Sequence, residues 1–240
     1  MPFPNAQKSR ILAGSLNWSG YTRTFGLSTS VDMLETTTLA DTAKAFIPGQ
    51  NTSTGAFDIL LDTDTTAGGQ WSVGTTWETT QPTVVTYAPN GTSLGSEVFL
   101  LNSLLTAFNT TSSANAAVSG SLATQTTGVT DAGQSVADLA AVTVDGNGTA
   151  VDGTAATANG GLAQIHVTAF SGLTSDVVTI EHSVDGATSW ATLATFTTVT
   201  GITSERVTVA TGTTVRRYLR VVDDVTGTGS VTRQVSFSRS

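Results

Sequence analysis

Threonine makes up roughly a fifth of this chain and is spread from Thr22 to Thr232. A β-branched side chain is stiff at χ1 and suits a pleated, half-buried surface better than a helix. Leucine-rich or Ala-Lys-Glu stretches that would favour helices are scarce. An all-β fold follows from this one feature. The 240 residues leave room for one large β domain or two ordinary ones.

Alternation along the chain places the strands. A first element runs from about Ile11 to Leu27, around Trp18, Tyr21 and Phe25, and a second covers Val31 to Leu39. Ala40–Phe46 has the composition of a short helix, one or two turns stopped by Pro48-Gly49. Ala56 to Asp62 reads as a strand, followed by a Gly- and Thr-rich connection that carries Trp71 and Trp77. Val84–Tyr87, Glu97–Leu101 and Leu104–Phe108 are further strands, with a reversal at Asn90-Gly91. Between Gly128 and Ser135 the chain turns to Gly, Asp, Ser and Thr. This predicts a boundary between domains 1–132 and 133–240. Roughly six strands follow, among them Gln164–Thr168 and Val177–Val184, the latter ending at a hairpin turn over Asp185-Gly186, and Gly-rich turns join them as in a sandwich or jelly roll.

The formal net charge is −8, from 10 basic and 18 acidic residues. The part up to Ala132 has 4 basic and 9 acidic residues and the rest 6 and 9, so both parts are acidic. Such a chain does not seek the phosphate backbone, which needs clustered Lys and Arg. Cysteine is absent, which excludes disulfides, a thiolate nucleophile and Cys-type zinc sites. No run approaches the ~18 apolar residues of a membrane helix, and the start lacks the apolar core of an export signal. The expectation is synthesis in a cytoplasm, with no membrane partner.

No set of residues supports catalysis. His166 and His182 fall inside strands and no Gly-x-Ser-x-Gly elbow is present, so a serine-type site has no basis. Asp62 with Asp64 and Asp223 with Asp224 are close pairs without a demonstrable cleft between carboxylates. Asp145-Gly146-Asn147-Gly148 lacks the spaced acidic set of a calcium loop and reads as turn chemistry. The expectation is no enzyme, no metal and no cofactor. Arg216, Arg217 and Arg220 form the one basic cluster. It is read as a solvated or interface strand, next as one paired with acids of a neighbouring strand or subunit, and last as a nucleic-acid patch. Trp190, after a turn, is a candidate glycan contact, with a core-capping role as the alternative.

Four N-terminal segments carry a more specific pattern. They are Leu16-Asn17-Trp18-Ser19-Gly20-Tyr21, Val31-Asp32-Met33-Leu34-Glu35-Thr36-Thr37, Ala43-Lys44-Ala45-Phe46-Ile47-Pro48-Gly49 and Ala56-Phe57-Asp58-Ile59-Leu60-Leu61-Asp62. Their order resembles the major tail tube proteins of long-tailed, siphovirus-type actinobacteriophages. Glu181-His182-Ser183-Val184-Asp185-Gly186 with Trp190, then Arg217-Tyr218-Leu219-Arg220, is similar to the C-terminal part of such proteins.

The resemblance implies a tail-tube β-barrel or sandwich domain with a short helix, followed by a jelly-roll or Ig-like β-sandwich on the tube exterior. It implies a virion protein of the phage tail, assembled in the host cytoplasm into stacked hexameric rings that form the conduit for DNA ejection. The implied partners are further copies of the chain, a tape measure protein, and tail tip and terminator proteins, with DNA passing through the lumen without specific binding. Trp18, Tyr21, Glu35, Lys44, Phe46 and Pro48 are the candidate inter-ring or inter-subunit contacts. The alternatives are a capsid decoration protein and a carbohydrate-binding adhesin module built around Trp190.

Overall fold

The computed structural model describes residues 6–61, 77, 81–128 and 130–240. In chain order the strands begin with β1 (Arg10–Ala13), β2 (Leu16–Asn17), β3 (Thr22–Glu35), β4 (Phe46–Leu60), β5 (Thr83–Ala88), β6 (Glu97–Thr111) and β7 (Ser119–Thr126). They continue with β8 (Asp131–Val142), β9 (Gly146–Asn147), β10 (Val151–Asp152), β11 (Gly161–Ser183), β12 (Ala191–Thr195), β13 (Thr203–Val209) and β14 (Tyr218–Arg239). The fold is all-β, as the threonine content requires, and among the described residues its sheet does not close into a barrel.

The chain divides into two compact units. The larger gathers Met1–Gly20, Val84–Leu100 and Asp131–Ser240, and the smaller Tyr21–Thr83 and Leu101–Thr130. One crossing between them, at Thr130/Asp131, lies beside the junction expected from composition. The segments 1–20 and 84–100 nevertheless group with the C-terminal strands.

The larger unit is organised by β11 and β14, which pair antiparallel from Gly161↔Arg239 to Ser183↔Tyr218. Three register shifts interrupt this ladder, after Val167, Ser171 and Leu173, and together they leave one more residue in β11 than in β14. A one-residue slip moves every later side chain to the other face. The core face of β11 accordingly passes from Ala163, Ile165 and Val167 to Val178 and Ile180. β14 keeps a single parity, with Leu219, Val221, Val231, Val235 and Phe237 facing the same core. Two glycines make the bend feasible. Gly172 has φ 75°, and a Cβ at Gly229 would lie 2.0 Å from the Ser171 carbonyl oxygen.

β11 flanks different partners along its length. Its first half pairs with β13 and its second half with β12. The first half is buried on both faces, and its even residues meet a second layer. Leu162 packs with Ala88, Val98 and Leu100. His166 is fully buried there, with Nδ1 2.7 Å from the Gly14 carbonyl oxygen and Nε2 2.8 Å from Thr86 Oγ1. A carbonyl only accepts, so Nδ1 carries the proton that it gives to Gly14, while Thr86 Oγ1 lies within bonding distance of both Nε2 and Gln164 Oε1, to which its hydroxyl donates at 3.0 Å. His166 is thus a satisfied core histidine within a strand.

In the smaller unit β4 lies between β3 and β7, and β7 pairs in turn with β6. Alternation is clean in β4 and β7. Ser53, Gly55, Phe57 and Ile59 are buried with Gly120, Leu122, Thr124 and Thr126, while the intervening residues are exposed or half-buried. Phe57 anchors this core, 4.6 Å from the ring of Phe25 and 6.2 Å from that of Trp77.

Several sequence expectations are corrected. No helical turn forms over Ala40–Phe46. A short turn closes there instead, and β4 begins at Phe46. Pro48-Gly49 therefore stands inside a strand, next to the register shift opposite Val31 and Met33, where a missing N–H is tolerated. The expected strand from Ile11 to Leu27 is split by turns at Gly14 and Gly20. The two segments Gln164–Thr168 and Val177–Val184 belong largely to one strand, β11, and Glu97–Leu101 with Leu104–Phe108 belong to β6. Asp62, Asp64 and Trp71 lie outside the described residues.

Burial pushes the His166 imidazole down to about 4, against a smaller opposing effect of the Gly14 hydrogen bond. The unfolded chain therefore binds the proton more tightly, and this contribution to stability is present above about 6.5 and lost as pH falls towards about 4. Urea unfolding of the wild-type chain and a His166→Gln variant should differ in pH slope across that window, by about 3 kcal/mol in total. Equal slopes would disprove the assignment. Gly229→Ala should cost at least about 2 kcal/mol, since the clashing atom is backbone; an unchanged melting temperature would contradict this packing.

Candidate assembly interface

β3 and β4 form an antiparallel ribbon from Thr22↔Ile59 to Glu35↔Phe46, continued by a bond from Thr36 N–H to the Ala45 carbonyl. β7 supports only the half of β4 from Thr54 to Leu60. Beyond it the ribbon is two strands wide among the described residues. At the tip, Thr38 N–H donates to Asp41 Oδ2 at 2.6 Å and Asp41 N–H to the Thr38 carbonyl at 3.1 Å, which fixes a tight turn. The Thr38 N–H, and after it the Thr38 hydroxyl donating to the same oxygen at 3.0 Å, hold the Asp41 carboxyl below the usual carboxylate range.

The exposed part of the ribbon is apolar on both faces. Directly opposed residues share a face. Leu34 (54% exposed) and Ile47 (50%) pair on one side. Met33 (58%) and Pro48 pair on the other, in line with Phe46 (47%), which is opposite Glu35. Lys44 Nζ reaches Glu35 Oε2 at 3.3 Å, an exposed pair of little energetic weight. An isolated two-stranded ribbon is marginal in water, and contiguous exposed apolar side chains of this kind mark contact surfaces. β3 also presents an outer edge that no described strand occupies, a template for main-chain pairing.

Of the residues singled out in the sequence, Glu35, Lys44, Phe46 and Pro48 come together at this tip. Tyr21 sits at the other end of the ribbon, where its carbonyl accepts from Leu60 N–H at 2.8 Å. Trp18 is only 1% exposed and belongs to the core of the larger unit, so it is not on the chain's surface. Met33, Leu34 and Ile47 were not singled out, because a strand of apolar residues gives no sign of whether anything covers it.

Two members of the arginine cluster, Arg217 and Arg220, are paired with acids of neighbouring strands, one of the readings open in the sequence, while Arg216 donates to the Ser189 carbonyl at 2.8 Å. Arg217 makes two bonds to Asp152, at 2.7 and 2.6 Å, and holds the Asp152 carboxyl at about 2. Arg220 pairs with Glu181 and lies 4.2 Å over the Trp190 ring. One face of the half-buried Trp190 is therefore taken by a guanidinium, a cation–π contact. The adjoining turn is locked by Asp185, whose carboxylate accepts from Ala187 N–H, Thr188 N–H and the Thr188 hydroxyl. Those bonds hold it far below the usual carboxylate range.

No family model and no curated protein matches this chain. Among solved structures it is similar to a chain from the virion of a native gene transfer agent particle, at TM-score 0.42 and 14% identity over 53% of this chain and 97% of that one. It is also similar to the SPP1 tail tube protein, at TM-score 0.42 and 12% identity over 52% and 76%. The SPP1 Dit protein, from a hub adsorption apparatus, aligns at TM-score 0.40 and 11% identity over 96% and 98%.

If the ribbon tip carries no weight in the isolated fold, Leu34→Thr with Ile47→Thr should change the unfolding free energy of the monomer by no more than about 0.5 kcal/mol. Phe57→Ala in the same unit should cost about 3–5 kcal/mol. Calorimetry on the three chains checks both, and a large loss in the tip variant would mean the ribbon folds back onto its own chain.

Proposed function

We propose that this chain is a structural subunit of a phage tail tube, which assembles into stacked hexameric rings that conduct DNA during ejection. The observation that carries the reading is the β3–β4 ribbon, whose tip exposes Leu34 and Ile47 on one face and Met33, Phe46 and Pro48 on the other. Such a ribbon is stabilised only when something covers it, and a polymer of identical chains supplies that cover at every position. The motif order from Leu16 to Asp62 supports the same reading, as does the acidic balance of both parts of the sequence. A wall that DNA must slide past has no use for a basic surface.

In this reading Glu35, Lys44, Phe46 and Pro48 contact the neighbouring ring, and the edge of β3 that no described strand occupies pairs within the ring. Tyr21, at the base of the ribbon, contacts a neighbouring subunit. The C-terminal sandwich faces the tube exterior, and tape measure, tip and terminator proteins complete the tail of a virion assembled in the host cytoplasm. The chemistry is assembly, not turnover.

Concentrated full-length protein, viewed by negative-stain electron microscopy with light-scattering masses alongside, should give rings or tubes with six-fold class averages. Phe46→Asp with Ile47→Asp should keep the monomer's circular dichroism and melting temperature but abolish assembly. A wild-type chain that stays monomeric even with tail-tip complexes present, or a double variant that assembles normally, would sink the proposal.

A further inference from the structure

Three ionisable groups lie on the core side of one corner of the larger unit. Asp176 is fully buried, and neither carboxylate oxygen accepts a hydrogen bond of normal geometry. Asp223 and Arg233, also buried, form a two-pronged pair, with Arg233 Nε 2.7 Å from Asp223 Oδ1 and the second nitrogen on Oδ2. Parity puts them there. Asp223 and Arg233 share the odd, core-facing positions of β14 with Val221 and Val235, and Asp176 shares the even positions of β11 with Val178. The other charged group acting on Asp176 is Asp224, exposed on β14. The segment after β12 contributes main chain: Asp176 N–H donates to the Val199 carbonyl at 2.9 Å, and Val199 N–H to the Asp176 carbonyl at 2.8 Å.

Two buried carboxylates therefore face one buried guanidinium. With all three ionised, a net negative charge is held away from water, which is strongly unfavourable. A proton on Asp176 removes that charge and leaves the Asp223–Arg233 pair intact.

We propose that this corner is a proton-operated latch, in which protonated Asp176 holds the bend of β11 closed on the Val199 segment and its ionisation loosens that segment. Burial, and after it the Asp223 charge, pushes the Asp176 carboxyl up to about 6, with Arg233 pulling the other way. The folded chain thus binds this proton more tightly than the unfolded one. The stabilisation is fully present below about 4 and lost as pH rises through about 6. This sign is opposite to that of His166.

The test is an NMR titration of aspartate carboxyl carbons in the full chain, with hydrogen exchange at the Val199 amide corrected for intrinsic rates. Asp176 should titrate near 6, and Val199 protection should fall roughly tenfold between pH 5 and 7.5. Asp176→Asn should abolish that fall. Asp223→Asn should free Arg233 to pair with Asp176 and bring its midpoint into or below the ordinary carboxylate range, a readout that stands even if Asp176→Asn fails to fold. A wild-type midpoint near 4, protection at Val199 that does not change with pH, or a midpoint unmoved by Asp223→Asn would each overturn the latch.

Discussion

The larger unit depends on a mismatch of one residue between two strands that are otherwise paired end to end. A long antiparallel ladder twists but does not fold back unless its register is broken. The shifts after Val167, Ser171 and Leu173 break it, and the extra residue in β11 turns its core face over while β14 keeps its own. One pair of strands can then present apolar residues to the same interior at both ends. The same rule carries Asp176, Asp223 and Arg233 inward, because the alternation that buries Val178, Val221 and Val235 does not distinguish charge from hydrocarbon. The charged corner is a by-product of the bend, stabilised by the Asp223–Arg233 pair and leaving Asp176 over.

Much of this was legible beforehand, in proportion to how local its cause is. Threonine content and period-two patterning identified the all-β class, and the turn at Asp185-Gly186 falls where Asp and Gly chemistry puts it, with Gly186 at φ 72°. The pairing of Arg217 and Arg220 with neighbouring acids was one of three open readings. β11 was read as two strands because Ala169 to Leu173 has no alternation, and bulges are defined by a partner strand the sequence does not display. Ala40–Phe46 looked helical because its alanines and lysine favour a helix, but cross-strand pairing of Glu35 with Phe46 outweighs a propensity of a few tenths of a kcal/mol per residue. Trp18 and Phe46 both read as candidate contacts, and only packing separates a buried ring from an exposed one.

The smaller unit follows a different logic. Its sheet has one buried face, built on Phe57, Ile59 and Leu122, and an opposite face dominated by small residues such as Thr54, Ala56, Ser121 and Ala123. Such a surface offers few large side chains for a partner to grip. The apolar side chains on the ribbon tip are the exception, and exposed apolar groups of that kind mark a contact surface.

The tip has one further property, set by where basic residues are missing. After Lys44 the next lysine or arginine is Arg206, so the unit that carries the ribbon has only Arg23 and Lys44 as cleavage points for trypsin. Lys44 sits exposed beside the turn, held only by Glu35. Proteolysis at that bond therefore reports on whether the ribbon is free or covered, since any body seated on the tip shields an exposed tryptic site.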